Sequence, residues 1–146
     1  MATAVRRRKL PGLSRSHRCC SRKSQVNIVF IAHFAGSPRH GMVYGHYYLA
    51  REWVRLGHRV TIVAASFSHT RIQQPSTDDL LKEEFIDGIR YLWIPTPTYS
   101  PSGRFGRVRN IVTFTIRCWW KRLPIEQADL VISSSHHPFS IHAAKA

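Results

Sequence analysis

The sequence predicts an α/β fold, a parallel sheet with flanking helices, and three observations carry that prediction. Val26–Ile31 is a short apolar run with β-branched Val26, Ile28, Val29 and Ile31 that stops at small and turn-forming residues, as a strand buried on both faces does. Leu49, Ala50, Trp53 and Val54 then follow a helical rhythm that closes at Gly57. Arg59–Ala65 is a second short apolar run. Strand, helix and strand in this order make the βαβ unit of a parallel sheet.

The 146 residues suffice for one domain with a modest core, and an apolar share of 43% is that of a globular chain. Eight of the 22 basic residues and none of the eight acids lie in residues 1–24. Residues 1–25 therefore read as a basic, disordered extension, too polar to fold alone, and residues 26–146 as the domain. The extension also has the Arg- and Ser-rich, acid-free look of a mitochondrial leader. No apolar run is long enough to cross a bilayer and no apolar secretory core is present, so a cytoplasmic location is expected. Cys19, Cys20 and Cys118 are an odd set with two adjacent, which is no disulfide framework. His17 with Cys19 and Cys20 lacks a closing ligand pair, so no metal is expected.

In chain order, His33–Gly45 is a loop running into a helix that begins between Met42 and His46, and Gly57 caps that helix. Residues 66–81 are polar and without period, which makes them a surface loop. Asp87-Gly88 between two strand-like runs over 84–94 is a hairpin signal of type I′. Pro95, Pro97 and Pro101 end the hairpin. Arg104–Leu123 is the longest helix, with Phe105, Val108, Val112, Ile116, Trp119 and Leu123 on one face and its basic residues opposite. Ala128–Ser134 is a further buried strand, and a helix starting at Ser140 is cut off after two turns, the mark of an incomplete domain.

The Val26–His33 strand with Phe34-Ala35-Gly36-Ser37, then Tyr47–Trp53, Leu56-Gly57-His58, Val60–Ser66, Ile86–Tyr91 and Ser134–Pro138, resemble in order and spacing the start of a glycosyltransferase family 4 enzyme of GT-B architecture. The branch is that of O-antigen and exopolysaccharide assembly, with its fucosaminyltransferase-like members. The resemblance covers residues 26–146. It implies a Rossmann-like N-terminal half, incomplete at its C-terminus, of an enzyme that moves a sugar from a nucleotide-sugar donor to a lipid-linked or saccharide acceptor with retention. It also implies a missing C-terminal GT-B domain that carries the paired glutamates and most of the donor site. No cofactor beyond the donor is implied.

The glycines and serine of the first loop, Gly36, Ser37 and Gly41, resemble the family loop whose backbone N–H groups face the donor diphosphate. Glycine lets backbone approach a ligand and a helix start favours an anion. The loop is neither a P-loop, since Met42-Val43 follows Gly41, nor a dinucleotide fingerprint; a plain turn is the alternative. His137, in a Ser-x-His-Pro context, matches a sugar-contacting histidine and would donate to a sugar hydroxyl or the leaving phosphate; a loop histidine bonded to backbone is its alternative. His33, Arg39, His40, Ser135 and His136 are acceptor-side candidates, weighed against packed or solvated positions. The basic side of the long helix, with Arg107, Phe114, Arg117 and Lys121, suits an anionic membrane surface, so peripheral attachment at the inner face is expected. The alternatives are a nucleic-acid binder driven by the basic extension, which lacks interleaved aromatics, and a stand-alone Rossmann-like nucleotide binder.

Overall fold

The structure is a computed structural model, and it describes residues 25–41, 45–76, 81–100, 103–120 and 127–134 together with the backbone of 2–7. Six strands, β1 (Ala2–Arg7), β2 (Asn27–Ile31), β3 (Arg59–Ala65), β4 (Lys82–Ile86), β5 (Ile89–Ile94) and β6 (Leu130–Ser134), accompany two helices, α1 (Gly45–Arg55) and α2 (Arg104–Trp120). The sheet has the order β1-β6-β2-β3-β5-β4. Its four central strands are parallel, and the two outer strands β1 and β4 run antiparallel to their neighbours. The sheet is thus mixed rather than wholly parallel. β1 falls inside the stretch expected to be a disordered extension, where Ala-Thr-Ala-Val offers short and β-branched residues to the open edge of β6.

Alternate residues of the central strands feed two cores. Ile28, Phe30, Val60, Ile62, Tyr91 and Trp93 meet Tyr47 and Ala50 of α1 on one face. Val29, Ile31, Val63, Leu92 and Val131 meet Phe114 and Cys118 of α2 on the other. This two-sided burial is why the strands read as near-continuous apolar runs. Helix α1 closes as expected: Gly57 takes φ +89°, its N–H donates to Val54 O at 2.9 Å, and the His58 N–H donates to Trp53 O at 3.1 Å, the paired bonds of a Schellman cap. Asp87 and Gly88 both adopt left-handed φ, so the β4–β5 hairpin turns as its Asp-Gly signal requires.

The chain leaves β5 at one side of β3, passes through α2 and re-enters the sheet as β6 beside β2. Strand order therefore reverses between β2 and β6, and at such a reversal the loops leaving the carboxyl ends diverge and open a crevice. At the amino ends of β2 and β6, Asn27 and Asp129 exchange bonds: Asn27 N–H to Asp129 Oδ2 and Asp129 N–H to Asn27 O, both 2.9 Å.

Candidate functional site

At the carboxyl ends of β2, β3, β5 and β6 lie the Gly36–Gly41 loop, Arg71, the Pro95–Thr98 segment and Ser134. After β2, the Ala35 N–H bonds back to Ala32 O at 2.9 Å and turns the chain sharply. Gly36 then lies over the sheet with its carbonyl accepting from the Tyr91 hydroxyl at 3.1 Å. Ser37 is fully buried and its hydroxyl meets His40 Nδ1 at 2.8 Å. Gly41 has φ +68°, and a Cβ there would lie 2.9 Å from the Ile72 side chain, so the position needs glycine both for its backbone and for space. Among the described residues no hydrogen bond engages the N–H of Gly36 or of Ser37.

His40 joins this loop to the β4–β5 hairpin. Its Nε2 lies 3.6 Å from Glu84 Oε2, and its ring meets Trp93 edge-on with centroids 4.9 Å apart. Glu84 is also held by the Trp93 indole N–H at 2.9 Å and by Arg39 at 3.5 Å. Burial is the main influence on His40 and pulls its pKa below the usual imidazole value; Glu84 pushes it up, while Arg71, Lys82 and Arg39 pull it down. His40 is therefore neutral near pH 7, a hydrogen-bonding post of the loop rather than a cation.

His33 turns away from the loop and into the α2 face of the sheet. Its Nε2 lies 2.8 Å from Asn110 Oδ1, and its ring packs edge-on against Phe114 at 4.8 Å. Asn110 donates its amide N–H to Pro97 O at 2.7 Å, which leaves Oδ1 as acceptor and makes the His33 Nε2 the donor. Asn110 is fully buried on an otherwise apolar helix face; a lone Asn within a helical period is a weak sequence sign of this kind of clasp. A second pairing missed from sequence is His46 in the first turn of α1, whose Nε2 reaches the Ser134 hydroxyl of β6 at 2.8 Å across the strand-order reversal. The Gly45-His46 pair at the helix start was its only signal.

The segment after β3 holds a buried cation. Arg71, 5% exposed, donates to Ala65 O and Ser66 O, and its guanidinium lies 4.9 Å from the Trp93 ring centroid. Among the described residues no carboxylate pairs with it, and burial pulls its pKa down to about 10.

Placement on α2 corrects one expectation directly. Phe114, expected to face a membrane, is 0% exposed, because it fills the core under β2, β3 and β5 beside Cys118, whose thiol burial pushes up to about 12. The apolar stripe points outward instead: Phe105 is 92% exposed, with Val108, Val112, Ile116 and Trp119 also open, and Trp120 beside them is 85% exposed. Arg107 lies exposed, and Arg117 leans over the sheet edge to donate to Pro95 O at 2.8 Å. Lys121, Ser135, His136 and His137 lie outside the described residues.

The structure thus brings Gly36, Ser37, Arg39, His40 and Gly41 into one loop locked to the hairpin, and separates His33 from them. Among the described residues no group of three His, Cys, Asp or Glu is placed to hold a metal ion, and no helix is long and apolar enough to cross a membrane. Compared with family models, curated proteins and solved structures, the chain matches none.

Proposed function

We propose that the chain is the acceptor-side, Rossmann-like half of a retaining glycosyltransferase of the GT-B kind, working with a second domain that holds most of a nucleotide-sugar donor. The observation that carries this reading is the loop after β2: a glycine-bearing turn at the carboxyl edge, beside the reversal of strand order, with two consecutive buried amides, Gly36 and Ser37, that meet no acceptor among the described residues. Tyr91 and His40 fix that loop from below, so its amides are pre-arranged rather than ordered on binding. In this reading the donor diphosphate meets those amides. His137, in the segment that follows β6, supplies the contact to sugar or leaving phosphate. Such a site takes a soluble nucleotide-sugar donor and a lipid-linked or saccharide acceptor, and it asks for no metal from this half.

Backbone amide NMR of the full chain titrated with UDP tests the reading. Saturable shifts at Gly36 and Ser37, absent with uridine alone, are the expected result at ligand concentrations of about a millimolar, since half a site binds weakly. UDP that leaves every amide of 33–41 unmoved sinks it.

The exposed stripe of α2 favours a second element of the reading, attachment to an anionic membrane surface. Helix α2 has four arginines and no acid, and its open apolar side carries aromatic residues at both ends. The contacting face is then the side of Phe105 and Trp119, opposite Phe114.

A further inference from the structure

The carboxyl edge of the sheet carries a second feature, on the α2 side and built from other residues than the β2 loop. A groove of about 570 Å³ opens between α2, the residues that follow β3 and the Pro95–Thr98 segment that follows β5. Arg109, Thr113 and Arg117 line it at successive i, i+4 positions, so the three side chains form one ladder along the flank of the helix. Across from them stand Ser66, Thr96 and Thr98, and no aspartate or glutamate is among the described lining residues.

We propose that this groove binds the phosphate group of a ligand, gripped between the Arg109 and Arg117 guanidiniums and the facing hydroxyls. Arg117 is already oriented, because one of its N–H groups donates to Pro95 O at 2.8 Å while the rest of its fork stays available. Arg109 has no hydrogen bond or ion pair among the described residues, so a ligand does not displace an internal partner. Arg71 stands behind the wall of the groove: its guanidinium touches Ser66 O at 3.1 Å and the Gln74 side chain at 3.5 Å, both residues of the lining. Its Nε is buried with no partner. Two guanidiniums on the wall of the recess and a third behind it, with no carboxylate among the described lining residues, leave a positive field that an anion completes. The planar forks and clustered hydroxyls match the several oxygens of a phosphate, and the volume admits a phosphate ester with the group it is attached to. A soluble phosphate ester and a lipid phosphate headgroup share this chemistry.

Calorimetric titration of the full chain with inorganic pyrophosphate, alongside co-sedimentation with phosphatidylcholine vesicles containing phosphatidic acid, tests the site and separates the two sources. Arg109→Gln is the diagnostic variant, since Arg109 is exposed and its loss leaves the fold intact by circular dichroism. It is expected to weaken binding about tenfold, the loss of a charge-assisted fork, with Arg109→Lys in between. Arg15, Arg18 and Arg22 replaced together by Gln are expected to leave affinity unchanged. Loss of pyrophosphate binding in Arg109→Gln assigns a soluble ligand; loss of phosphatidic-acid capture alone, with capture by equally charged phosphatidylglycerol vesicles retained, assigns a lipid headgroup. Absence of binding in both arms overturns the proposal. So does an unchanged Arg109→Gln variant, or equal losses in the Arg15/Arg18/Arg22 variant, which would reflect net charge or a nucleic-acid type of contact.

Discussion

His40 sits in a small polar knot, with Ser37 on one ring nitrogen, Glu84 near the other and the Trp93 ring beneath it. Its folded pKa lies below the unfolded value near 6.5, so between those two values the unfolded chain binds more protons than the folded one. The stability that neutral His40 supplies is therefore complete above about pH 6.5 and drains away as the pH falls towards the folded pKa. Urea midpoints of the parent and of His40→Asn, measured from about pH 7.5 to pH 5, are expected to converge on acidification. Parallel curves would show that His40 keeps its proton balance on folding. At this scale the sequence marked the turn after β2 for a physical reason: glycine, serine and proline announce a sharp change of direction after an apolar run. It did not reveal that Ser37 and His40 would be spent on each other. Their partners Glu84 and Trp93 come from a hairpin more than forty residues away, and no local pattern encodes that meeting.

Helix α2 teaches the opposite lesson about periodicity. Spacings of three and four separate two faces of a helix correctly, yet they do not say which face meets the sheet. Here the face with Asn110, Phe114 and Cys118 is buried, although Asn110 interrupts its apolar residues, because Asn110 satisfies both His33 and Pro97 O. Close approach helps: a Cβ at Gly106 would come 2.6 Å from the Tyr99 Cβ, so only glycine lets the first turn settle on that segment. Phe114→Ala is expected to cost about 3–5 kcal/mol by emptying a packed core site, whereas Phe105→Ala should stay within about 0.5 kcal/mol. Chemical denaturation of the two variants measures the contrast, and comparable losses would mean that the helix is turned the other way. The remaining elements were legible almost to the residue. Arg59–Ala65 needed only its β-branched run, and the β4–β5 hairpin only Asp87-Gly88. Strand β1 escaped because Ala2–Arg7 has no alternation of its own and is recruited by the edge of β6.

For the whole molecule, the arrangement separates two surfaces. The carboxyl edge carries the β2 loop and the arginine groove, and the open side of α2 carries Phe105, Val108, Ile116, Trp119 and Trp120 among arginines. A molecule lying on α2 would hold the groove beside the lipid headgroups, since Arg109 and Arg117 flank the apolar stripe. Flotation with vesicles containing phosphatidylglycerol is expected to recover the parent chain, and the double variant Phe105→Ser/Trp120→Ser about tenfold less of it. Equal recovery of the two would remove α2 from the contact. The βαβ unit and the two-sided burial were readable from apolar runs alone. The order of strands was not, because it depends on where the chain returns after α2.

That return has a consequence for how the protein is made. β2 lies in the interior of the sheet, yet its partner on one side, β6, begins at Leu130, about a hundred residues later, and the Asn27–Asp129 exchange that aligns them spans the same interval. During vectorial synthesis β2 can pair with β3 early, but its other edge stays uncovered until the ribosome has released residue 134. For most of its birth the nascent chain therefore presents an apolar strand with a free row of amides and carbonyls, the form most prone to pairing with a neighbour. Pulse-labelled chains stalled before Leu130 are the population in which aggregation, or a chaperone, should first be found.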